Sequence, residues 1–563
     1  MKQAGVTMQT DNLPKKESLS IEFKSDRGNS GKGYPVNDLI DEIVGMTNTE
    51  GGTLYLGIED DGRITGIISA HQDPIRLAAL IANKTRPSLS VRTEVIYAQN
   101  LPIMAIHIPK SYSIVASASG KILKRRLKID GTPEVIPMYP YEIYTRLSDL
   151  RKLDFSAQPI KDGSLEDLDP NQLIRLRETI QNQNGEQSLL TLTDEELAQA
   201  LQFTARVGEK VYPTLTGLLL IGKENSLRKL VPTAKADFQV LQGTNVVINE
   251  SYCKPIIELV ELFSEYMKPW NPEKEFDYGL FRIPIPEFSK PAFREGLINA
   301  FAHRDYSVLG SVHVQLTDEG LTISSPGGFI DGISLDNLLT AEPYGRNPTL
   351  SDALKRIGLA ERTGRGIDRI FEGSITFGRP WPDYSASTTK NVVLFIPRAK
   401  ADLPFIRMVM DEQKSIGHPL SINTLLVLSA LYSERKMSSK DLSEKTHIQL
   451  SRLKPMMEML IERGLVEEIG RGHNRMFMLG CSPYTKTGKA KEYTRQRGID
   501  SVRFPEMVLT LAKRQNGSIT KNDVVELLHI TKTQAYTILQ TLCKEKKLKI
   551  IGKGRYSYYK IVQ

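Results

Sequence analysis

At 563 residues the chain has room for three to five domains, and its 40% hydrophobic and 25% charged composition is that of an ordinary globular protein. No run of about 18 apolar residues occurs, the opening MKQAGVTMQTDNLPKK lacks the apolar stretch of a signal peptide, and the 3 cysteines (Cys253, Cys481, Cys543) are scattered. A membrane span, a secreted disulfide framework and a Cys-rich zinc site are thereby excluded, and a reducing cytoplasm is the expected setting. The net charge of +8 is uneven: residues 401–563 carry 28 Lys/Arg against 16 Asp/Glu, which points to a polyanionic partner such as nucleic acid.

In chain order, Glu17 and Glu22 come first, just ahead of Phe23-Lys24. A helix is expected over 38–47, running into Asn48-Thr49-Glu50-Gly51-Gly52, and then a buried strand over 53–58. The strand ends at Glu59-Asp60-Asp61-Gly62, whose Asp-Gly pair signals a tight turn. Glu-Phe-Lys, Asn-x-x-Gly-Gly and a strand ending in acids and Gly resemble the Schlafen/AlbA-type nucleic-acid-binding domain, here over residues 1–155. Some members of that family are metal-dependent ribonucleases that use two Glu and one Asp. The resemblance therefore implies Glu17, Glu22 and Asp60 (or Glu59) as candidates, with Lys24 beside them. The basic run KILKRRLK offers Lys121, Lys124, Arg125 and Arg126 to a nucleic-acid backbone.

Residues 156–164 read as a linker, 165–184 and 193–203 as helices, and the apolar run LTGLLLIG at 215–222 as a buried strand. A helix over 256–267 and a Pro-interrupted connection over 268–290 lead to PAFREGLINAFAHRDY at 291–306. That stretch spaces Glu295, Asn299 and His303 four apart, on one face of a helix. A carboxylate, an amide and an imidazole so aligned can position a water and a hydrated Mg²⁺ against a phosphate. A strand pair follows over 311–324, then glycine turns at Ser325-Pro326-Gly327-Gly328-Phe329 and Thr363-Gly364-Arg365-Gly366-Ile367, and a closing strand over 391–396.

This order resembles the GHKL-type ATPase fold in its divergent, RecG-related form, over residues 291–371. The resemblance implies that Glu295 orients the attacking water and that Asn299 ligates Mg²⁺, with His303 on the same face. It further implies that Pro326, Gly327 and Gly328 form the first glycine box, that Arg346-Asn347-Pro348 is a further binding segment, and that Gly364, Arg365 and Gly366 form the phosphate lid. ATP and Mg²⁺ are then the expected cofactors and a homodimer the expected assembly. The Asp that precedes the usual first box is not present before Pro326, and Asp331 lies out of register.

Residues 400–404 and 482–500 read as linkers. A shift of 82 residues superposes two copies of one pattern, pairing Met437 with Ile519, Ser438 with Thr520, Asp441 with Asp523 and Leu442 with Val524. Each copy predicts a capped helix, a turn, a longer helix and a Gly-tipped hairpin, and each resembles a winged helix-turn-helix, over 405–480 and 500–563. The second helix of such a unit enters the major groove and the wing flanks phosphates. The resemblance offers Gln449, Ser451, Arg452, Lys454, Arg471 and Arg475 in the first copy. In the second it offers Lys532, Thr533, Gln534, Tyr536, Lys553 and Arg555.

The expectation is a multidomain α+β chain: a Schlafen/AlbA-like domain, a connector and GHKL-like α/β sandwich over 165–400, and two winged helices. Its expected function is that of an ATP-binding, DNA-binding regulator of the transcriptional type, acting on double-stranded DNA. The alternatives are a metal-dependent nuclease for RNA or single-stranded DNA in antiviral or stress defence, and a nucleotide-free scaffold. A helicase is rejected because no Gly-x-x-x-x-Gly-Lys-Ser/Thr motif occurs.

Overall fold

The structure is a computed structural model that describes residues 6–7, 13–27, 33–150, 152–278, 281–341, 344–361, 363–469, 475–480, 504–514, 517–528, 532–551 and 558–561. In the N-terminal domain a five-stranded sheet runs in the order Val6–Thr7, Arg92–Ala98, Leu101–Ile108, Gly52–Leu56, Ile21–Lys24. The helix Val36–Thr47 lays Leu39, Ile40, Ile43 and Val44 on it. Asn48 is buried. Its amide donates to Val115 O and Leu123 O and its carbonyl accepts from Val115 N, so one side chain ties the helix end to the strands beyond. Gly51 and Gly52 take φ of 71° and 132°, and a Cβ on Gly52 would collide with Ser20 O. The Asn-x-x-Gly-Gly element thus serves the fold. A hairpin, Leu123–Leu127 with Pro133–Pro137, and the helix Pro140–Asp149 complete the domain.

Three connector expectations are corrected. Residues 215–222 contain a helix, Leu215–Ile221, which Thr214 caps by accepting from Gly217 N. All seven of its residues are buried, so the run carries no periodicity that distinguishes helix from strand. Residues 268–290 hold a hairpin, Glu273–Tyr278 with Phe281–Pro286. Its strands pair only with each other, so prolines 284 and 286 interrupt no further ladder. The helix Leu403–Ile416 begins inside the stretch read as a linker, with Asp402 accepting from Phe405 N as its cap.

The central sheet has the order Asn245–Tyr252, Lys235–Gln242, Ser311–Leu316, Gly320–Pro326, Asn391–Pro397. Its pairing is antiparallel except between Lys235–Gln242 and Ser311–Leu316. The helices Ile256–Met267, Lys290–Ala302 and Gly366–Ile375 pack with it into one layered α/β core.

The two C-terminal copies share one element order and one sheet order. The first has Ile422–Glu434, Met437–Ser438, Ser439–Thr446, Leu450–Glu462, Val466–Ile469 and Met476–Leu479. The second has Phe504–Arg514, Ser518–Ile519, Lys521–Leu528, Lys532–Lys544, Leu548–Ile551 and Tyr558–Ile561. Ser438 with Asp441, and Thr520 with Asp523, make the same reciprocal cap. The first copy shares the hydrophobic core of the central domain, whereas the second has a core of its own. Among the described residues no helix is long and apolar enough to cross a membrane.

Candidate functional site

The helix Lys290–Ala302 starts where Ser289 accepts from Ala292 N and Pro291 stands in its first turn. Its packed side is Ala292, Phe293, Leu297, Ile298 and Phe301. The other side turns Glu295, Asn299 and His303 into a cavity of about 210 Å³. Gly327, Gly328, Gly364 and Gly366 line the same cavity, so helix and both glycine turns converge as the spacing predicts. Ile323, Ile330, Leu338, Leu339, Val392 and Leu394 give it apolar walls.

Glu295 is 4% exposed. Burial raises its carboxyl above the usual range, against the lowering effects of Arg369 and the hydrogen bond with Asn299. Its Oε1 lies where a Cβ on Gly366 would have to stand, so glycine is required there by contact. His303 caps the helix at its C-terminus, and its N–H donates to Asn299 O at 3.0 Å. Burial, then the positive charges of Arg346 and Lys355, push its imidazole down to about 4, so it is neutral at physiological pH. Gly327 holds φ of 98° and donates to Lys390 O at 2.7 Å. Gly328 packs against the backbone of Thr388 and Thr389.

Four residues expected at the cavity do not line it. Pro326 is buried at the end of its strand, paired with Asn391. Asn347 is buried and donates to Ala302 O and Arg304 O, which fixes the turn after the helix. Arg365 reaches away toward Asp368 and Glu372. Arg346, 3% exposed, gives Nε and Nη2 to Asp149 Oδ1 at 3.0 and 2.9 Å and Nη2 to Gly328 O at 3.2 Å. Asp149 ends the last helix of the N-terminal domain, and Ser148 Oγ donates to Arg346 O at 2.8 Å. The Arg346 segment is thus a clasp between the N-terminal domain and the first glycine turn. Asp331 reinforces it: its carboxylate takes Lys110 at 2.8 Å and also pairs with Arg146. It is an anchor for the N-terminal domain, outside the cavity lining.

Motif reading missed Ser351, Lys355, Asp368 and Tyr384, which line the cavity. Ser351 and Lys355 are four apart on the helix Pro348–Arg356, a spacing visible in the sequence but unremarkable without the cavity beside it.

In the N-terminal domain Glu17 feels the charges of both Glu22 and Asp60. Burial raises the Glu17 carboxyl first, and Glu22 and Asp60 add to it. Glu22 is engaged by Lys24 and by the buried Arg125, and Phe23 N donates to Glu17 at 3.0 Å. Among the described residues no group of three or more His, Cys, Asp or Glu is placed to hold a metal. Glu22 is ion-paired on two sides. Arg125, with a side chain 0% exposed, is not a backbone contact. Lys121 pairs with Asp41, Lys124 with Glu142 and Arg126 with Glu134. In the first C-terminal copy Gln449, Ser451, Arg452 and Lys454 are exposed on the helix side opposite Leu453, Met457 and Leu460. Arg475 pairs with Glu468 at 2.7 Å, and Lys532 and Tyr536 are exposed in the second copy. Arg471, Lys553 and Arg555 lie outside the described residues, as do the side chains of Thr533 and Gln534.

Comparison with known proteins gives three family matches. Residues 17–130 match the family described as Schlafen, AlbA_2. Residues 310–395 match "Putative ATP-dependent DNA helicase recG C-terminal", a span that includes both glycine turns and begins after the Glu295 helix. Residues 145–237 match a domain of unknown function, DUF8451. No curated protein matches. Among solved structures the DIP2311 protein of Corynebacterium diphtheriae is 20% identical, covering 97% of this chain and 95% of that one, with a TM-score of 0.48. The chain joins an N-terminal Schlafen, AlbA_2 domain to a RecG C-terminal-type, ATPase-like domain.

Proposed function

We propose that the chain is an ATP-binding and DNA-binding regulatory protein of the transcriptional type, in which nucleotide occupancy of the central cavity sets how the flanking domains engage nucleic acid. The observation that carries this reading is the convergence of Glu295, Asn299, His303, Gly327, Gly328, Gly364 and Gly366 on one apolar-walled cavity. The residues fit a Mg–nucleotide. Glycine at 366 is required by contact with Glu295, and backbone N–H groups opening the helix Gly366–Ile375 are suited to phosphate oxygens. Asn299 would hold the metal, which when bound neutralises phosphate charge. Glu295, with its raised affinity for a proton, is the group to polarise a water.

Coupling to nucleic acid runs through the clasp. Gly327 and Gly328 line the cavity, Arg346 holds Gly328 O, and Asp149 carries that contact into the N-terminal domain. The two C-terminal copies are read as winged helices that present Gln449, Arg452 and Lys454, and Lys532, to duplex DNA. At the N-terminus binding without cleavage is favoured, because Glu22 is already neutralised by two cations. Dimerisation on nucleotide is part of the proposal.

The test is thermal unfolding of the full chain with and without Mg–ATP. Nucleotide at 100 times its Kd should add about 2.7 kcal/mol of stability. Asn299→Ala should abolish that gain while leaving the unliganded melting temperature in place. If no adenine nucleotide moves the wild-type transition, the central domain is a nucleotide-free scaffold.

A further inference from the structure

An edge strand exposes backbone N–H and C=O groups that can pair with another chain, so natural sheets keep their edges short or covered. Three of the four edges of the two five-stranded sheets follow that rule. Val6–Thr7 is only 2 residues long. Along Ile21–Lys24, Phe23 N donates to Glu17 at 3.0 Å and Ile21 O accepts from Arg125 Nη2 at 3.0 Å. Along Asn391–Pro397, Asp383 and Phe395 exchange two backbone hydrogen bonds of 2.8 Å, and Val393 N donates to Ser387 Oγ at 2.9 Å.

The fourth edge, Asn245–Tyr252, is 8 residues long, and no described segment pairs with its outer side. It has no Lys or Pro to turn a neighbour away, its one charge is Glu250, and Val246 and Val247 stand 59% and 46% exposed. The one irregularity, between Val240 and Leu241 on the neighbouring strand, lies toward the hairpin turn and leaves Ile248–Tyr252 in unbroken register with Ala236–Val240. On the sheet face opposite the buried Phe238 and Val240, Gln315, Gln239 and Asn249 stand side by side across three strands. Gln315 Nε2 donates to Gln239 Oε1 at 2.6 Å, and Gln239 Nε2 donates to Asn249 Oδ1 at 3.3 Å. The row ends at Asn249, whose amide nitrogen has hydrogens still to give.

We propose that Asn245–Tyr252 is a docking edge for a second copy of this chain, the two strands pairing antiparallel about a twofold axis at Asn249, so that one sheet runs through both copies. A twofold axis normal to a sheet sets one residue opposite itself. With Asn249 in that place the amide row passes from copy to copy, each Asn giving and taking one hydrogen bond. Glu250 of one copy then faces Ile248 of the other, so like charges do not meet. The second strand also shields Val246 and Val247 from water. This inference does not rest on the nucleotide reading. Asn245–Tyr252 lies at the opposite edge from Asn391–Pro397, whose Val392 and Leu394 line the cavity. The edge therefore joins copies before nucleotide binds, and a nucleotide-driven contact is a second interface.

The test is analytical ultracentrifugation of the full chain without nucleotide, for wild type, Asn249→Lys, Asn249→Glu and an equimolar mixture of the two variants. One paired strand is a small interface, and a dimer with Kd of about 1–10 μM is expected. Each variant alone sets like charges across the axis and should weaken the dimer about tenfold or more. The mixture sets Lys against Glu and should return to within about threefold of the wild-type affinity. Asn249 is exposed, so both variants should keep the wild-type melting temperature. Should either fail to fold, Val246→Lys on the same edge takes its place and should weaken the dimer likewise. A monomeric wild type, a dimer that the variants keep, or a mixture no stronger than its parts would overturn the assignment. A dimer that forms only with Mg–ATP would overturn it too, and would leave the nucleotide reading standing.

Discussion

Gly366 stands at a helix N-terminus, where Ala would ordinarily be the better helix former by up to about 1 kcal/mol. Here an added Cβ would meet the Glu295 carboxylate, so Gly366→Ala displaces an acid that lines the cavity. We expect Gly366→Ala to cost about 1–3 kcal/mol of stability by overpacking and to lower Mg–ATP affinity, as read by urea unfolding and calorimetry. His303 supplies a pH prediction at the same scale. Its folded-state pKa, about 4, lies below the ordinary imidazole value of 6.5, so the unfolded chain binds the proton more readily. Stability from this group is present above about pH 6.5 and is lost as pH falls through about 4. His303→Asn, which cannot titrate, should flatten that part of the stability profile between pH 7 and pH 4. An unchanged slope in thermal unfolding would deny His303 the role.

The helix Pro140–Asp149 and the segment around Arg346 act as one element across two domains. A guanidinium at 3% exposure depends on its carboxylate, and burial already works against the Asp149 charge that answers it. Asp149→Asn leaves Arg346 without its counter-charge, and the expected loss is about 3 kcal/mol. The pair Asp149→Leu with Arg346→Met removes both charges and should regain most of that stability. It should also uncouple the sites. On the proposed coupling, ATP and DNA should change each other's affinity by the same factor in the wild type, and in the double variant that factor should fall to about one. Measuring DNA affinity by fluorescence anisotropy with and without Mg–ATP checks this, and full coupling in the double variant would move the connection elsewhere.

For the whole molecule, the division of hydrophobic cores decides where the chain can be cut. Leu425, Leu428, Leu453 and Phe477 of the first C-terminal copy belong to the same core as Leu297 and Ile323 of the central domain. Ending the chain at residue 400 strips that core and should give an aggregating or strongly destabilised product. Ending it at residue 480 removes only the copy whose core is Val508, Val524, Leu539 and its neighbours. That shorter chain should keep the melting temperature of the rest within a few degrees. Its duplex affinity should fall and lose part of its steep dependence on salt, because phosphate contacts release counterions. Unchanged affinity and salt slope would place the DNA contact away from the second copy.

Much of the site was legible in the chain itself. The four-residue spacing of Glu295, Asn299 and His303 forces them onto one helical line, glycines at 327, 328 and 366 mark backbone that no side chain can share, and Gly364 holds φ of 78°. Period and backbone freedom are local properties, so sequence alone determines them. Burial and ion pairing are not local. Arg125 reads as a nucleic-acid contact and Arg346 as part of a nucleotide-binding segment, yet each is buried against a carboxylate of a distant segment, Glu22 and Asp149. The apolar run at 215–221 is a helix because its surroundings bury every side, leaving no pattern to read. Ser351 and Lys355 gain meaning only from the cavity wall opposite them. Which charges meet, and which face a cavity, is settled by long-range packing, and that only the tertiary structure decided.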